Sequence, residues 1–178
     1  MRELELMIPK IEDENDILSF RDEFFNYGEK EISGDAGLDS AVTYLEWYNK
    51  VIRSMNIDTC PKDLVPATTF VARRISDKEI VGIIQIRHYL NDSLLFWGGH
   101  IGYSVRPSER RKGYAKEMLR LALEVCKDLY IDNVLVTCLK TNIGSSKTII
   151  ANNGVLENEV INNGKEYQRY WINIERKW

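Results

Sequence analysis

The sequence has 178 residues, a length typical of one folded domain, and we expect a single domain over residues 1–178. Hydrophobic residues make up 44% of it and charged residues 29%, a composition that excludes disordered, collagen-like and coiled-coil proteins. Because the net charge is -3, the chain lacks the basic excess that supplies most affinity for nucleic acid, and no nucleic-acid partner is predicted.

The first residues do not have the pattern of a secretory signal, since Glu3 and Glu5 interrupt the apolar stretch that such a signal needs. No later stretch approaches the ~20 uncharged residues that would span a bilayer, so no membrane partner is predicted. The cysteines Cys60, Cys126 and Cys138 are unclustered, and the last two lie in apolar runs. We therefore expect a reduced, cytoplasmic protein.

The N-terminal part, residues 1–66, predicts a short strand followed by two helices. The strand Leu4–Ile8 precedes an acidic run, Glu12–Asp16, which suits a helix N-terminus because carboxylates there meet the positive end of the helix dipole. The segment Ser33–Gly37 ends this helix, and a second helix is predicted from about Ser40. The predicted apolar faces consist of Ile17, Phe20, Phe24 and Tyr27 in the first helix and of Val42, Leu45, Ile52 and Met55 in the second.

The middle of the chain predicts strands followed by a long helix. Thr68–Arg74 and Ile80–His88 are β-branched runs that indicate an antiparallel hairpin. A third strand, His100–Val105, leads into an amphipathic helix over Tyr114–Leu129 and then into an apolar strand, Val134–Leu139. Such a strand, helix and strand form a unit in which ligands meet strand ends and helix N-termini.

The last thirty or so residues predict a short helix and a hairpin. The helix is predicted over Ser145–Asn152. The dipeptide Asn163-Gly164 between the strands Leu156–Ile161 and Tyr167–Ile174 is a two-residue hairpin signal. No internal repeat or low-complexity linker indicates a second domain.

The loop before the long helix, residues 110–115, has the features of a phosphate-binding site. Free N–H groups at a helix N-terminus point towards a ligand with the positive end of the dipole behind them, and Gly113 lets the backbone approach it without a Cβ clash. A solvated basic turn is the alternative interpretation. The positive charge around this turn comes from Arg106, Arg110, Arg111, Lys112 and Lys116.

The same loop resembles the pyrophosphate loop of the GNAT acetyltransferases. That loop has Gln or Arg, then Gly three residues later and Gly or Ala two residues after that, as Arg110, Gly113 and Ala115 do here. A second similarity is Asn142 and Ser145 after the strand Val134–Leu139, although both residues also favour helix N-caps. The resemblance covers roughly residues 67–174, and residues 98–103 and 154–159 are similar to a bacterial branch of predicted acetyltransferases.

The resemblance implies an α/β fold of the GNAT type, with a central, mostly antiparallel mixed sheet, a splayed central strand pair and flanking helices. Residues 67–174 would form the cofactor-binding core, and residues 1–66 a variable part that shapes the substrate site. It also implies acetyl-CoA as donor and the primary amine of a small molecule or peptide as acceptor, with direct transfer in a ternary complex; a homodimer is compatible with it. The implied cofactor-binding residues are Ser104, Val105, Arg110, Arg111, Lys112, Gly113, Tyr114, Ala115, Asn142 and Ser145.

Acetyl transfer needs a neutral amine, so a general base is expected. His100 is the first candidate because it opens the strand that would carry the acetyl group, and His88 and Glu109 are weaker candidates. The alternative for His100 is a structural histidine beside two glycines. Many family members have a Tyr in the short helix as the acid for the departing thiolate, but Ile149 stands there in this chain. The acid would be Tyr103, Tyr114 or water, or none is needed.

Alternative interpretations concern a cysteine, a P-loop-like segment, a metal site and a sensor function. Cys138 is interpreted as a buried structural residue and not as an acyl carrier, because its neighbours are apolar and no His is near it in sequence. Residues 144–148 fail the P-loop pattern, since Ser146 stands where its last Gly is required. No metal site is predicted. A noncatalytic acyl-CoA sensor on the same fold stays open as an alternative function.

The N-terminal helices also offer a candidate substrate pocket. Its members would be the acidic residues Asp35, Asp39 and Glu46 together with Trp47 and Tyr48. They indicate either an acidic, aromatic pocket for a cationic amine or the wet face and core edge of an ordinary helix.

Overall fold

A seven-stranded sheet organises the computed structural model, which describes residues 3–174. The strands in chain order are β1 (Leu4–Met7), β2 (Ala67–Arg74), β3 (Ile80–Arg87), β4 (Ile101–Val105), β5 (Asn133–Leu139), β6 (Val155–Asn162) and β7 (Lys165–Asn173). In space they are ordered β1-β2-β3-β4-β5-β7-β6, and neighbours are antiparallel except β4 and β5, which are parallel. The predicted mixed, mostly antiparallel sheet is thus confirmed.

Helices cover both faces of this sheet. They are α1 (Glu14–Asn26), α2 (Tyr44–Ser54), α3 (Tyr114–Asp128) and α4 (Ile143–Ile150), with a π-helical turn at Leu94–Gly98 between β3 and β4. One hydrophobic core lies between the sheet and α3, and a second lies between the sheet and the pair α1 and α2. Strand β3 contributes to both cores, which explains its nearly unbroken apolar sequence. No helix within residues 3–174 is both long enough and apolar enough to cross a membrane.

The apolar face predicted for α2 is wrong. Val42 lies before the helix and is 86% exposed, and Leu45 is 55% exposed. The buried face carries Tyr44, Trp47 and Val51 instead, and the indole N–H of Trp47 donates a hydrogen bond to a backbone carbonyl in the preceding loop. A large aromatic side chain buries favourably once its polar atom has a partner, so the aromatic residues orient this helix. Trp47 therefore belongs to the core and not to a substrate pocket.

The two edges of the sheet differ in length and regularity. Strand β1 has only four residues. Strand β6, at the other edge, is mostly exposed, and its pairing with β7 skips Glu157 between Leu156 and Asn158. This extra residue makes a β-bulge, which bends and twists the strand locally.

The connection between α1 and α2 packs directly on β4 through two glycines. A Cβ on Gly34 would lie 2.0 Å from the carbonyl oxygen of Gly102, and Gly34 also has a φ of +78°. Beside this contact the hydroxyl of Ser104 donates to the carbonyl of Ser33 at 2.9 Å. The absence of both side chains therefore lets the N-terminal segment approach the central strand.

This contact predicts that Gly34→Ala destabilises the protein more than Gly28→Ala. Both glycines have a left-handed backbone, with φ of +78° and +84°, but a Cβ on Gly28 would meet nothing within 4 Å. The change at Gly28 should lower the free energy of unfolding by about 1–2 kcal/mol and that at Gly34 by about 2–4 kcal/mol, because only the second adds overlap. Urea denaturation measures both, and equal losses would show that the contact is unimportant.

Candidate functional site

A cleft opens between β4 and β5. The two strands pair only where Ile101 lies opposite Val136. Next to this pair the backbone N–H of His100 donates to the carbonyl of Leu135 at 2.7 Å, and the N–H of Leu135 donates to the imidazole Nδ1 of His100 at 3.0 Å. Towards the carboxyl ends of the strands, no further ladder pairing joins them in the part of the chain that the structure describes. The predicted splayed strand pair is therefore confirmed.

Strand β4 presents part of its backbone to this cleft. At its two ends, the carbonyl of His100 accepts from the last residue of β3 and the N–H of Arg106 donates to a β3 carbonyl, each at 2.8 Å. Because the bonds of an antiparallel ladder alternate, the backbone of Ser104 also points to β3, whereas that of Tyr103 and Val105 points to the cleft. A ligand that adds like a strand would meet Tyr103 and Val105.

His100 is buried at the closed end of the cleft, where it is 7% exposed. Burial and the nearby cation of Arg87 lower the pKa of His100 to about 4. Since Nδ1 accepts the N–H of Leu135, the neutral ring carries its proton on Nε2 and has no lone pair left for another proton. This position argues against the predicted role as general base and favours the structural alternative.

Tyr103 crosses the cleft from β4 to α4. Its hydroxyl lies 2.8 Å from the hydroxyl of Ser145, in the first turn of α4. Asn142 caps that helix, because its side-chain oxygen accepts the N–H of Ser145 at 3.0 Å. Burial raises the pKa of Tyr103 to about 12. It also raises the pKa of Cys138, whose thiol lies close to the hydroxyl of Ser145, to about 11. At neutral pH both groups therefore keep their protons.

The loop before α3 forms a concave row of backbone N–H groups. Arg111 and Gly113 have φ of +63° and +90°, and the other loop residues have negative φ. Within the described chain, the N–H groups of residues 111–115 make no hydrogen bond. Alternating left-handed and right-handed residues at a helix start form an anion-binding nest. The buried side chain of Tyr114 supports the loop from below, and its hydroxyl accepts from Arg74 at 3.2 Å.

Two of the basic side chains of this loop are already paired with acids. Arg110 binds Glu29 through two hydrogen bonds of 2.6 and 2.7 Å, and Lys112 binds Glu109 at 3.0 Å. Arg111 makes no ion pair with any of residues 3–174. An anion at this loop would thus be held mainly by backbone N–H groups, with Arg111 as the one loop cation free to approach it.

A second cavity, of about 390 Å³, lies beside β3. Its lining comes from α2, the segment before β2, β3 itself and the residues around the Leu94–Gly98 turn. Gln85 and Arg87 form part of this lining, and Gln85 is the ladder partner of Gly102 on β4. This cavity was not predicted from the sequence. Gln85 and Arg87 are polar residues at alternate positions in the second half of an otherwise apolar strand, and this pattern was the available signal for a polar site.

Comparison with protein families matches residues 9–154 to the acetyltransferase (GNAT) domain. The chain belongs to the GNAT acetyltransferase family. This membership confirms the resemblance from which the fold class and the splayed strand pair were predicted. The prediction of acetyl-CoA as the acetyl donor agrees with this family membership. A search of curated proteins found no match.

Solved GNAT structures share this fold. The ribosomal-protein-S5-alanine acetyltransferase from Vibrio fischeri is 14% identical with a TM-score of 0.72, over 97% of this chain and 94% of that one. RimL, a ribosomal L7/L12 alpha-N-protein acetyltransferase in complex with coenzyme A, is 16% identical with a TM-score of 0.69, over 98% and 96%. The microcin C7 self-immunity acetyltransferase MccE, in complex with acetyl-CoA and AMP, is 16% identical with a TM-score of 0.67, over 98% and 94%.

The environment of His100 predicts a pH-dependent component of stability. Its pKa in the folded protein is about 4, against about 6.5 for an unperturbed imidazole, so between these values the unfolded chain binds a proton that the folded protein excludes. The free energy of unfolding should therefore fall as the pH falls through this window, by up to about 1.4 kcal/mol per pH unit.

His100→Gln should remove this component, because an amide oxygen can accept the N–H of Leu135 but does not titrate. Urea denaturation of both proteins at a series of pH values measures the difference. His88, whose pKa burial also lowers, contributes to both proteins equally. Parallel pH profiles would show that His100 does not titrate in this window.

Proposed function

We propose that the protein is an acetyl-CoA-dependent N-acetyltransferase that moves the acetyl group to a primary amine by direct transfer in a ternary complex. One observation carries the proposal: the free N–H groups of residues 111–115 lie at the end of the strand whose Tyr103 and Val105 present backbone groups to the cleft. The nest suits the pyrophosphate of acetyl-CoA, and the strand edge suits the amides of its pantetheine arm.

In this arrangement the amine nitrogen attacks the thioester carbonyl, the C–S bond breaks and the coenzyme leaves as a thiolate that takes up a proton. Holding both reactants in one cleft supplies much of the rate by effective concentration. Cys138 does not suit an acyl-enzyme route, because burial raises the pKa of its thiol to about 11 and so disfavours the nucleophilic thiolate.

Tyr103 is the residue that we propose as the acid for the departing thiolate. It stays protonated at neutral pH and lies in the cleft, whereas the hydroxyl of Tyr114 is engaged with Arg74 under the loop. Ile149, at the position where many family members have a Tyr, is fully buried. Tyr103 would thus replace that Tyr from the opposite wall of the cleft.

His100 is better suited to positioning than to proton transfer. Its two hydrogen bonds with Leu135 hold the closed end of the cleft and so set where the strands begin to diverge. With its Nδ1 lone pair engaged there, we expect the proton of the amine to leave through water.

A noncatalytic acyl-CoA sensor is the second candidate, favoured by the lack of a helix Tyr at Ile149. Calorimetry with acetyl-CoA and an acetyl-transfer assay across classes of amine distinguish the two functions. Tight binding together with transfer to at least one amine class supports the enzyme. Binding without transfer to any class supports the sensor, and lack of binding removes both.

The phosphate loop predicts a charge-specific effect at Gly113. Its Cβ position is open, but its φ of +90° strains most side chains, so Asp and Asn, which tolerate this backbone best, form a matched pair. Gly113→Asp should weaken acetyl-CoA binding at least about tenfold more than Gly113→Asn, because it adds a negative charge beside the pyrophosphate. Calorimetry at low and high salt measures the difference, which salt should reduce. Equal affinities would place the pyrophosphate elsewhere.

Tyr103→Phe should lower kcat and leave acetyl-CoA affinity nearly unchanged. The loss should be about tenfold, below the factor of ~10²–10⁴ typical of a general acid, because the thiolate of a thiol with a pKa of about 8.5 leaves readily. Tyr170→Phe is the matched control, since Tyr170 is a buried tyrosine of β7 whose hydroxyl donates to Gln168 on the same strand. Steady-state kinetics measure both variants. Equal kcat values for the two would mean that Tyr103 gives no proton.

A further inference from the structure

The cavity beside β3 is a candidate site for the acetyl acceptor. Gln85 on its lining pairs with Gly102, and an added Cβ on Gly102 would lie 3.8 Å from the guanidinium of Arg87, so the cavity adjoins the strand that forms one wall of the cleft. Its volume of about 390 Å³ lies in the range of pockets for small molecules. The question is which chemical group such a cavity would bind.

Arg87 is the unusual residue of this lining. The three buried arginines of residues 3–174, Arg73, Arg106 and Arg169, are each paired with a carboxylate. Arg87 has no carboxylate partner among those residues, and only its Nη1 is used, donating to the backbone carbonyls of Gly98 and Gly99. Burial lowers its pKa, although a guanidinium stays charged at neutral pH. Its Nη2 and Nε donors therefore remain for a ligand.

The cavity lining carries one further cation and one acid. Lys50 of α2 lies on the lining and has no carboxylate within ion-pair distance in the described residues. Asp63 contributes the acidic group of the lining, and it forms no ion pair with either cation. The cavity thus carries two cations and one acid, in a protein whose net charge is -3.

We propose that the acceptor amine carries an anionic group, a carboxylate or a phosphate, which the Arg87 guanidinium binds in this cavity with Lys50 adding positive charge. The proposal rests on the proposed acetyltransferase function and deepens it by naming the class of acceptor. A guanidinium with two free donors matches the paired oxygens of either group, and a partly buried site strengthens such a charged hydrogen bond.

The experiment uses matched amines that differ only in the distal group. The two series are β-alanine, β-alaninamide and aminoethylphosphonate, and γ-aminobutyrate with its amide and phosphonate. Binding to the acetyl-CoA-loaded protein and acetyl transfer, corrected for the fraction of neutral amine, are measured for each. We expect the wild-type protein to prefer a charged member over its amide at least tenfold. Whether the carboxylate or the phosphonate member is preferred shows which of the two anions the cavity binds.

Arg87→Gln should remove this preference and leave the neutral amides unaffected, whereas Lys50→Gln should reduce it only a few-fold, since Lys50 is exposed. Arg53→Gln, the same change at an exposed position of α2 outside the cavity, is the matched control and should behave as wild type. If Arg87→Gln disturbs the turn at Gly98 and Gly99, Lys50→Gln still tests the cavity, because it leaves the hydrogen bonds from Arg87 to these two glycines in place.

Two outcomes overturn the proposal. One is a wild-type protein that binds and acetylates no charged member better than its amide, and the other is a preference that survives Arg87→Gln. Acetyl-CoA affinity is measured for every variant in parallel. Normal acetyl-CoA affinity with no anion preference removes only the anion site, whereas absent acetyl-CoA binding removes the proposed function itself.

Discussion

The hydrogen bonds between His100 and Leu135 are the constraint on which the functional geometry depends. They join two antiparallel blocks, β1 to β4 and β5 to β7, at the parallel junction of the sheet. Without a neutral acceptor at Nδ1, the N–H of Leu135 would be left buried and unpaired, at a cost of about 1–3 kcal/mol. With this acceptor in place, β4 and β5 meet at one end and stay apart at the other. The cleft is thus a product of where the pairing stops.

Both sequence motifs, the loop of residues 110–115 and the pair Asn142 and Ser145, lie at the open end of the cleft. Strand β4 leads into the loop that starts α3, and β5 ends at Leu139, three residues before Asn142, which caps α4. Parallel strands place their carboxyl ends at the same edge of a sheet, so a nest at the start of α3 and the capped start of α4 lie on either side of one opening. Tyr103 and Ser145 then connect the two walls at 2.8 Å.

Local patterns such as β-branched runs predicted the order of the elements, and a glycine at a helix start predicted the free N–H groups before α3, whereas the sheet type was predicted from the family resemblance. Prediction from the sequence failed at α2, where aliphatic spacing indicated one face but the aromatic residues Tyr44 and Trp47 were the ones buried. It also could not show that Nδ1 of His100 is engaged, since its partner Leu135 is 35 positions away. Arg87 has no carboxylate partner among residues 3–174 because of where all its neighbours lie in the fold, and no local sequence pattern indicates this.

The bulge in β6 has a consequence for assembly. An exposed edge strand is a template on which another chain can continue the sheet, and proteins prevent this with short strands, charges and irregular backbone. Here one edge is only four residues long, and the other skips Glu157 in its pairing and carries Glu159 in an ion pair with Lys140. Both ends of the sheet therefore resist extension, so two copies that associate would do so through side-chain surfaces rather than through a shared, continuous sheet.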